Sequence, residues 1–333
     1  MRQLEHRLAW SRLRIRQGLA RLGPRDPART IPARLSLRLD EADLPFELGQ
    51  GAVLTPAAWH RGIVAMVELA GPLPVTILAG GKAGAPIAAE LVRFAHRLEC
   101  PVTLVCDGRG VDFAKAAELI DRGLRNLRVL IGGVSAEVHQ AVLHPSGDGA
   151  SLDEATGAVT AAVAARADRK ARLDIEVGLP WRGPAHAEAR AVLGWARQAG
   201  ADGFRLLPPW LAADVAVDPE LLDSLADPSD PFQRTDAGTI AALHAAAAHA
   251  DGKPGHARVH ALGSRRHRPC PVGGLRLELS ARGRLCCCPF LPPIADAIEP
   301  ASQDLPEAWA QAGPHLAAIR ACDRLCAHPE LRS

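Results

Sequence analysis

Six of the eight cysteines crowd the C-terminal part of the chain, at Cys270, Cys286, Cys287, Cys288, Cys322 and Cys326. Four thiolates hold an iron–sulfur cluster, and four also make a tetrahedral zinc site, so six candidates leave both metals open. Disulfides are the weaker reading, because no N-terminal segment has the uninterrupted apolar core of a secretory signal. Between Cys270 and Cys288, Gly274–Leu279 alternates apolar and polar residues and Ala281–Arg284 has turn composition. A β-hairpin is therefore expected to bring those two thiols together. On the second strand Cys286 and Cys287 point to opposite faces, which leaves either as a substitute ligand. Cys100 and Cys106 flank a strand with no nearby partner and are expected to be buried apolar thiols.

Other polar groups sit where a strand gives way to a loop. Asp40, Glu41, Lys82 and Asp107 are the candidates for chemistry at such an edge, although ordinary surface charge is the commoner role. Gly80-Gly81 and Gly132-Gly133 have the backbone freedom to cradle an anion, but close-packing turns are the expected use. Glu137 and His139 are two residues apart, point in different directions on a helix, and are expected to be structural.

The elements that position these groups follow from hydrophobic periodicity. Short apolar runs at Leu35–Leu39, Val75–Ala79, Val102–Cys106, Leu127–Ile131, Leu173–Val177 and Phe204–Leu207 read as strands. Between them Thr55–Leu69, Pro86–Leu98 and Phe113–Arg122 repeat apolar residues at helical intervals. A full eight-unit barrel needs about 250 residues, whereas the pattern runs only from Arg34 to Trp210, so a partial (β/α)6 barrel is expected. A doubly wound sheet is the alternative. Asp218–Asp230 is acidic, proline-rich and read as a connection, followed by an alanine-rich helix at Ala241–Ala250.

Composition shifts near both ends. Residues 1–30 carry eight arginines against Glu5 and Asp26, interleaved with leucines at helical spacing, and form a basic amphipathic helix suited to a partner or a membrane surface. Residues 31–254 form the barrel and 255–333 a small cysteine-rich α+β domain. A net charge of +2 supplies no bulk attraction for nucleic acid, and no stretch reaches the ~20 apolar residues of a spanning helix. A cytoplasmic protein is expected. Tyrosine is absent and arginine far exceeds lysine, a bias that fits a GC-rich coding sequence.

Several motifs, in order, resemble those of the radical S-adenosylmethionine (SAM) superfamily over roughly residues 34–330. Leu54-Thr55-Pro56-Ala57-Ala58-Trp59 is similar to the start of that family's first helix, and Leu78-Ala79-Gly80-Gly81-Lys82-Ala83 to its GGEP segment. Val105-Cys106-Asp107-Gly108, Ile131–His139 and Gln198–Leu207 resemble the segments at the third, fourth and sixth strands. In that family GGEP holds the amino group of SAM, so Gly80 and Gly81 would be the cofactor-binding remnant. Two departures stand out. The octet Ala42–Gly49 occupies the place of the CxxxCxxC cluster loop and contains no cysteine, and the acidic position of GGEP is Lys82.

The tail is similar to the SPASM or twitch extension of peptide-modifying members of that superfamily. Cys270, twelve residues, Gly283, four residues and Cys288 give C-x12-G-x4-C, and Leu305–Trp309, Ile319–Cys322 and Cys326 follow in the extension's order. It lacks the full SPASM cysteine set, so one auxiliary cluster is the most it holds. The resemblance implies Cys270, Cys288, Cys322 and Cys326 as ligands of one [4Fe-4S] cluster, with zinc as the alternative, no SAM-cleaving centre and no catalytic residues. The implied role is a pseudoenzyme that presents a peptide or scaffolds an active partner. An electron-transfer module is one alternative. A barrel enzyme of different chemistry with a structural zinc tail is another.

Overall fold

The computed structural model describes residues 34–39, 53–144, 149–181, 185–207, 219–225, 227, 229–235 and 276–286. They form an α/β fold with a mostly parallel sheet and group into two units.

The first unit holds β1 (Arg34–Arg38), α1 (Pro56–Ala70), β2 (Val75–Gly80), α2 (Pro86–Arg97), the start of β3 (Val102–Cys106), β7 (Arg276–Ser280) and β8 (Leu285–Cys286). Its strand order is β8-β7-β1-β2. Thr55 caps α1 by accepting from the Ala58 amide at 3.3 Å, and Pro56 supplies the preset first-turn angle. Trp59, Ile63, Met66 and Ala70 recur at helical spacing and are buried. The hairpin expected from the alternation at Gly274–Leu279 is present as β7 and β8, closed by a turn with Gly283 at φ +77°. One feature of it was not expected. β7 runs parallel to β1, pairing Ser36 with Glu278 and Arg38 with Ser280.

The second unit holds the end of β3, α3 (Phe113–Asp121), β4 (Asn126–Leu130), α4 (Ala136–Leu143), α5 (Leu152–Asp168), β5 (Asp174–Pro180), α6 (Ala185–Gln198), β6 (Gly203–Leu207) and α7 (Pro219–Ser224). Its strand order, β4-β5-β6, follows the chain. In the first unit β1 lies between β2 and the later strand β7, both parallel to it. Leu127, Val129, Ile175, Val177, Phe204 and Leu206 share a buried face, as strand alternation requires. Arg128, Asp174, Glu176 and Arg205 alternate onto the other. The acidic stretch read as a connection contains a short helix, α7, and then Phe232–Arg234 pairs along β6 through the Phe204 amide and carbonyl.

α5 opens with a capping box between Ser151 and Glu154 and turns a row of small residues, Ala155, Ala158, Ala162 and Ala165, into the core. Gly157 lies on its exposed side with no atom within 4 Å of where a Cβ would stand. Gly157→Ala is expected to stabilise the protein by about 1 kcal/mol, read as a rise in the urea midpoint at constant slope.

The expected Ala241–Ala250 helix, the basic N-terminal helix and the domain boundary at residue 255 lie outside the described residues.

Candidate functional site

In the first unit, Leu39 follows the end of β1, and its amide continues the sheet ladder to the Leu78 carbonyl at 2.9 Å. β2 ends in a tight turn, with Gly80 at φ +49° and the Lys82 amide on the Ala79 carbonyl at 2.8 Å. That turn brings the Lys82 ammonium to the Leu39 carbonyl, 2.9 Å away, one residue before the chain leaves the described region. A cation is thus anchored at the C-terminal end of β1. Asp40, Glu41 and the octet Ala42–Gly49 lie outside the described residues.

On the polar face of the same sheet, Arg38 Nε donates to Glu278 Oε1 at 2.6 Å, with both side chains buried. The pair ties β7 to β1. Cys286 stands opposite Glu278 across the hairpin and therefore shares its face, whereas Leu279 and Leu285 share the apolar one.

The second unit carries a larger charged set on its polar face. Glu176 on β5 accepts from Arg128 Nε of β4 at 2.6 Å and from Arg205 Nε of β6 at 2.9 Å. Burial pushes the Glu176 carboxyl up, but the two guanidiniums outweigh it and hold the carboxyl below its ordinary value. Arg234 lies over Gly203 on the same face, bonded to Asp174 Oδ2 at 2.5 Å and the Asp202 carbonyl at 2.8 Å. No sequence signal marked this set, because residues from three strands spread over some eighty positions meet only through register.

Asp107, read as an edge charge, is instead buried at the end of β3. Its Oδ1 accepts from the Arg109 amide at 3.0 Å and its Oδ2 from the Ala150 amide at 3.3 Å, with His144 Nε2 3.6 Å away. A carboxylate committed to two backbone amides is a loop bracket and not a free acid or base. His139 is fully buried, and its Nδ1 accepts from the Gly132 amide at 3.3 Å. Burial and the neighbouring His144 push its pKa down, so the ring is neutral. Glu137 is exposed, and the expected divergence of these two side chains is what the structure shows.

The Gly132-Gly133 turn binds no free anion, because Glu188 of α6 already fills its cradle. Glu188 Oε2 accepts from the Val134 and Ser135 amides at 2.6 and 2.9 Å, and Oε1 from Ser135 Oγ at 2.6 Å. A Cβ on Gly132 would meet the His139 carbonyl at 2.8 Å, and one on Gly133 the Glu188 carboxylate at 2.4 Å. Both are close-packing glycines.

Cys100 and Cys106 are buried as expected, and burial pushes Cys106 up to about 12. Neither supplies a thiolate. Cys286 is half-buried, while Cys270, Cys287, Cys288, Cys322 and Cys326 lie outside the described residues. Among the described residues no group of three or more His, Cys, Asp or Glu side chains is arranged to hold a metal.

No protein-family model matches the chain, and no curated protein matches it significantly. Solved structures do. Streptococcus suis SuiB bound to S-adenosylmethionine superposes with a TM-score of 0.60 at 11% identity, covering 88% of this chain and 66% of that one. The fold of this chain is therefore similar to that of SuiB. SuiB bound to its precursor peptide SuiA gives a TM-score of 0.62 at 10% identity, over 88% of this chain and 67% of that one. The protein anSMEcpe with bound AdoMet and the Cp18Cys peptide gives 0.54 at 11% identity, over 85% and 81%. The chain thus spans about two thirds of the length of SuiB. Among the described residues no helix is long and apolar enough to cross a membrane.

Proposed function

We propose that this chain is a radical SAM-fold protein that does not cleave SAM and instead presents a peptide to, or scaffolds, an active partner enzyme in a reducing, cytoplasmic setting. The observation that carries the reading is the thiol-free octet Ala42–Gly49 on this fold. Alanine, phenylalanine and glycine offer iron no ligand, so the donor set does not fit a SAM-cleaving cluster. Lys82 adds a second mismatch, since a cation on the Leu39 carbonyl repels the ammonium of SAM. The tail has the right donors for one auxiliary [4Fe-4S] cluster, with Cys270, Cys288, Cys322 and Cys326 as the ligands and Cys286 or Cys287 as substitutes. That structures of SuiB and anSMEcpe carry peptides supports a peptide as the partner.

Anaerobic purification with iron, sulfide and zinc analysis tests the tail. About four irons and four sulfides per chain are expected, and their loss from Cys322→Ala/Cys326→Ala. Zinc without iron would replace the cluster with a structural clip. Incubation with SAM and a strong reductant is expected to release no 5′-deoxyadenosine, and its release would overturn the pseudoenzyme reading.

A further inference from the structure

We propose that Arg128 and Arg205, held apart by Glu176 on the polar face of the β4-β5-β6 sheet, form a receptor for a carboxylate of an acidic peptide. The inference rests on the peptide-presenting reading above and names the chemistry of that peptide. Each guanidinium spends only its Nε on Glu176. Among the described residues neither makes another hydrogen bond or ion pair, and both side chains keep a little solvent contact, at 11% exposure. The Nη1 and Nη2 groups of two neighbouring forks are therefore uncommitted on a face that opens to solvent at Arg234 and Asp174, whose side chains are 31% and 39% exposed. Planar N–H pairs of this kind match a carboxylate in bidentate geometry.

Charge on this face favours the same ligand. Arg128, Arg205 and Arg234 oppose Glu176 and Asp174, which leaves one positive charge. A single carboxylate neutralises it, whereas a phosphate dianion overshoots. Arg234 takes no part in binding, because Asp174 and the Asp202 carbonyl already hold its fork. Gly178 lets the site close. It pairs with Leu130, and a Cβ there would lie 3.0 Å from Leu207, 3.1 Å from Leu130 and 3.2 Å from Arg128 Cδ. Glycine thus lets two apolar side chains pack beside the Arg128 stem and shield the forks from bulk water, which strengthens a charged hydrogen bond.

The test is the anisotropy of a fluorescein-labelled, end-blocked peptide of alternating Glu and Gly at low salt, against its Gln counterpart, on the full chain as purified. The Glu peptide is expected to bind at least about tenfold more tightly, and Arg205→Gln to abolish the difference. Equal binding of the two peptides, or a preference unchanged in Arg205→Gln, would overturn the proposal. Inorganic phosphate that displaces the peptide better than acetate at equal ionic strength would overturn the carboxylate assignment. Should Arg205→Gln lack native near-UV dichroism, arginine-specific labelling of the unaltered protein replaces it. With p-hydroxyphenylglyoxal and mass spectrometry, the Glu peptide is expected to slow modification of Arg128 and Arg205 severalfold, and no protection would refute the site. These measurements need neither SAM nor metal, so their failure is separable from failure of the pseudoenzyme reading.

Discussion

Glu176→Ala is expected to cost about 3–5 kcal/mol of unfolding free energy, because it leaves two buried guanidiniums facing each other without their shared carboxylate. Arg128 and Arg205 reach Glu176 from opposite neighbouring strands, so no rotation of one relieves the other. Replacing all three together with apolar residues of similar length is expected to cost far less, since the desolvation of three charges then vanishes with their attraction. Urea denaturation of the single and triple variants separates the two cases. The pH dependence gives a second reading. The folded pKa of Glu176 lies below its ordinary value of 4.5, so its stabilisation is fully present above about pH 4.5 and is lost as pH falls through the folded pKa. Glu176→Gln is therefore expected to be destabilised at pH 7, with a gap to the unaltered protein that narrows steadily in acid. A gap that does not change with pH would mean that the ion pairs contribute nothing net.

Strands β1 to β6 were legible because each is a short apolar run between turn signals. Val102–Cys106 is found where it was expected, and the others begin or end within a few residues of their expected limits. α1 and α2 were legible too, from periodicity and from Pro56 and Pro86 at their first turns. α5 was less so. Its buried side is mostly alanine, and alanine recurs on its exposed side at Ala164 and Ala167, which leaves little amphipathic contrast to read. The parallel pairing of β7 with β1 was invisible, because it joins residues 240 positions apart and depends on register. The same limit hid Arg128–Glu176–Arg205. Conversely, Asp107 looked like a loop-edge charge by position alone, and only its two backbone amide partners reveal a bracket. The empty octet and Lys82 were read from sequence because they are departures from a pattern, and a departure is visible without coordinates. That the Lys82 ammonium lands on the Leu39 carbonyl required the fold.

Gly108→Ala is expected to be among the most damaging single-methyl additions in the chain, costing about 4 kcal/mol. Gly108 sits at φ +95° directly after the Asp107 bracket, a conformation that costs an L side chain ~2 kcal/mol. Its missing Cβ would also stand 2.6 Å from the Ala155 Cα and 3.1 Å from the Glu154 carbonyl oxygen, both backbone atoms of the first turn of α5. Backbone cannot rotate away, so α5 must shift against its capping box and the buried alanine row, at a further ~2 kcal/mol. Gly200→Ala is the control. It too has a positive φ, +80°, at the end of α6, but its Cβ would meet only Val163 side-chain carbons, at 3.4 and 3.7 Å. That variant should lose only the backbone part, about 1–2 kcal/mol. The difference between the two, measured by urea unfolding at pH 7, isolates the contact between the β3 loop and the start of α5. Equal losses would mean that the contact yields freely and that the Asp107 carboxylate, accepting from the Arg109 and Ala150 amides, is enough to hold the loop in place.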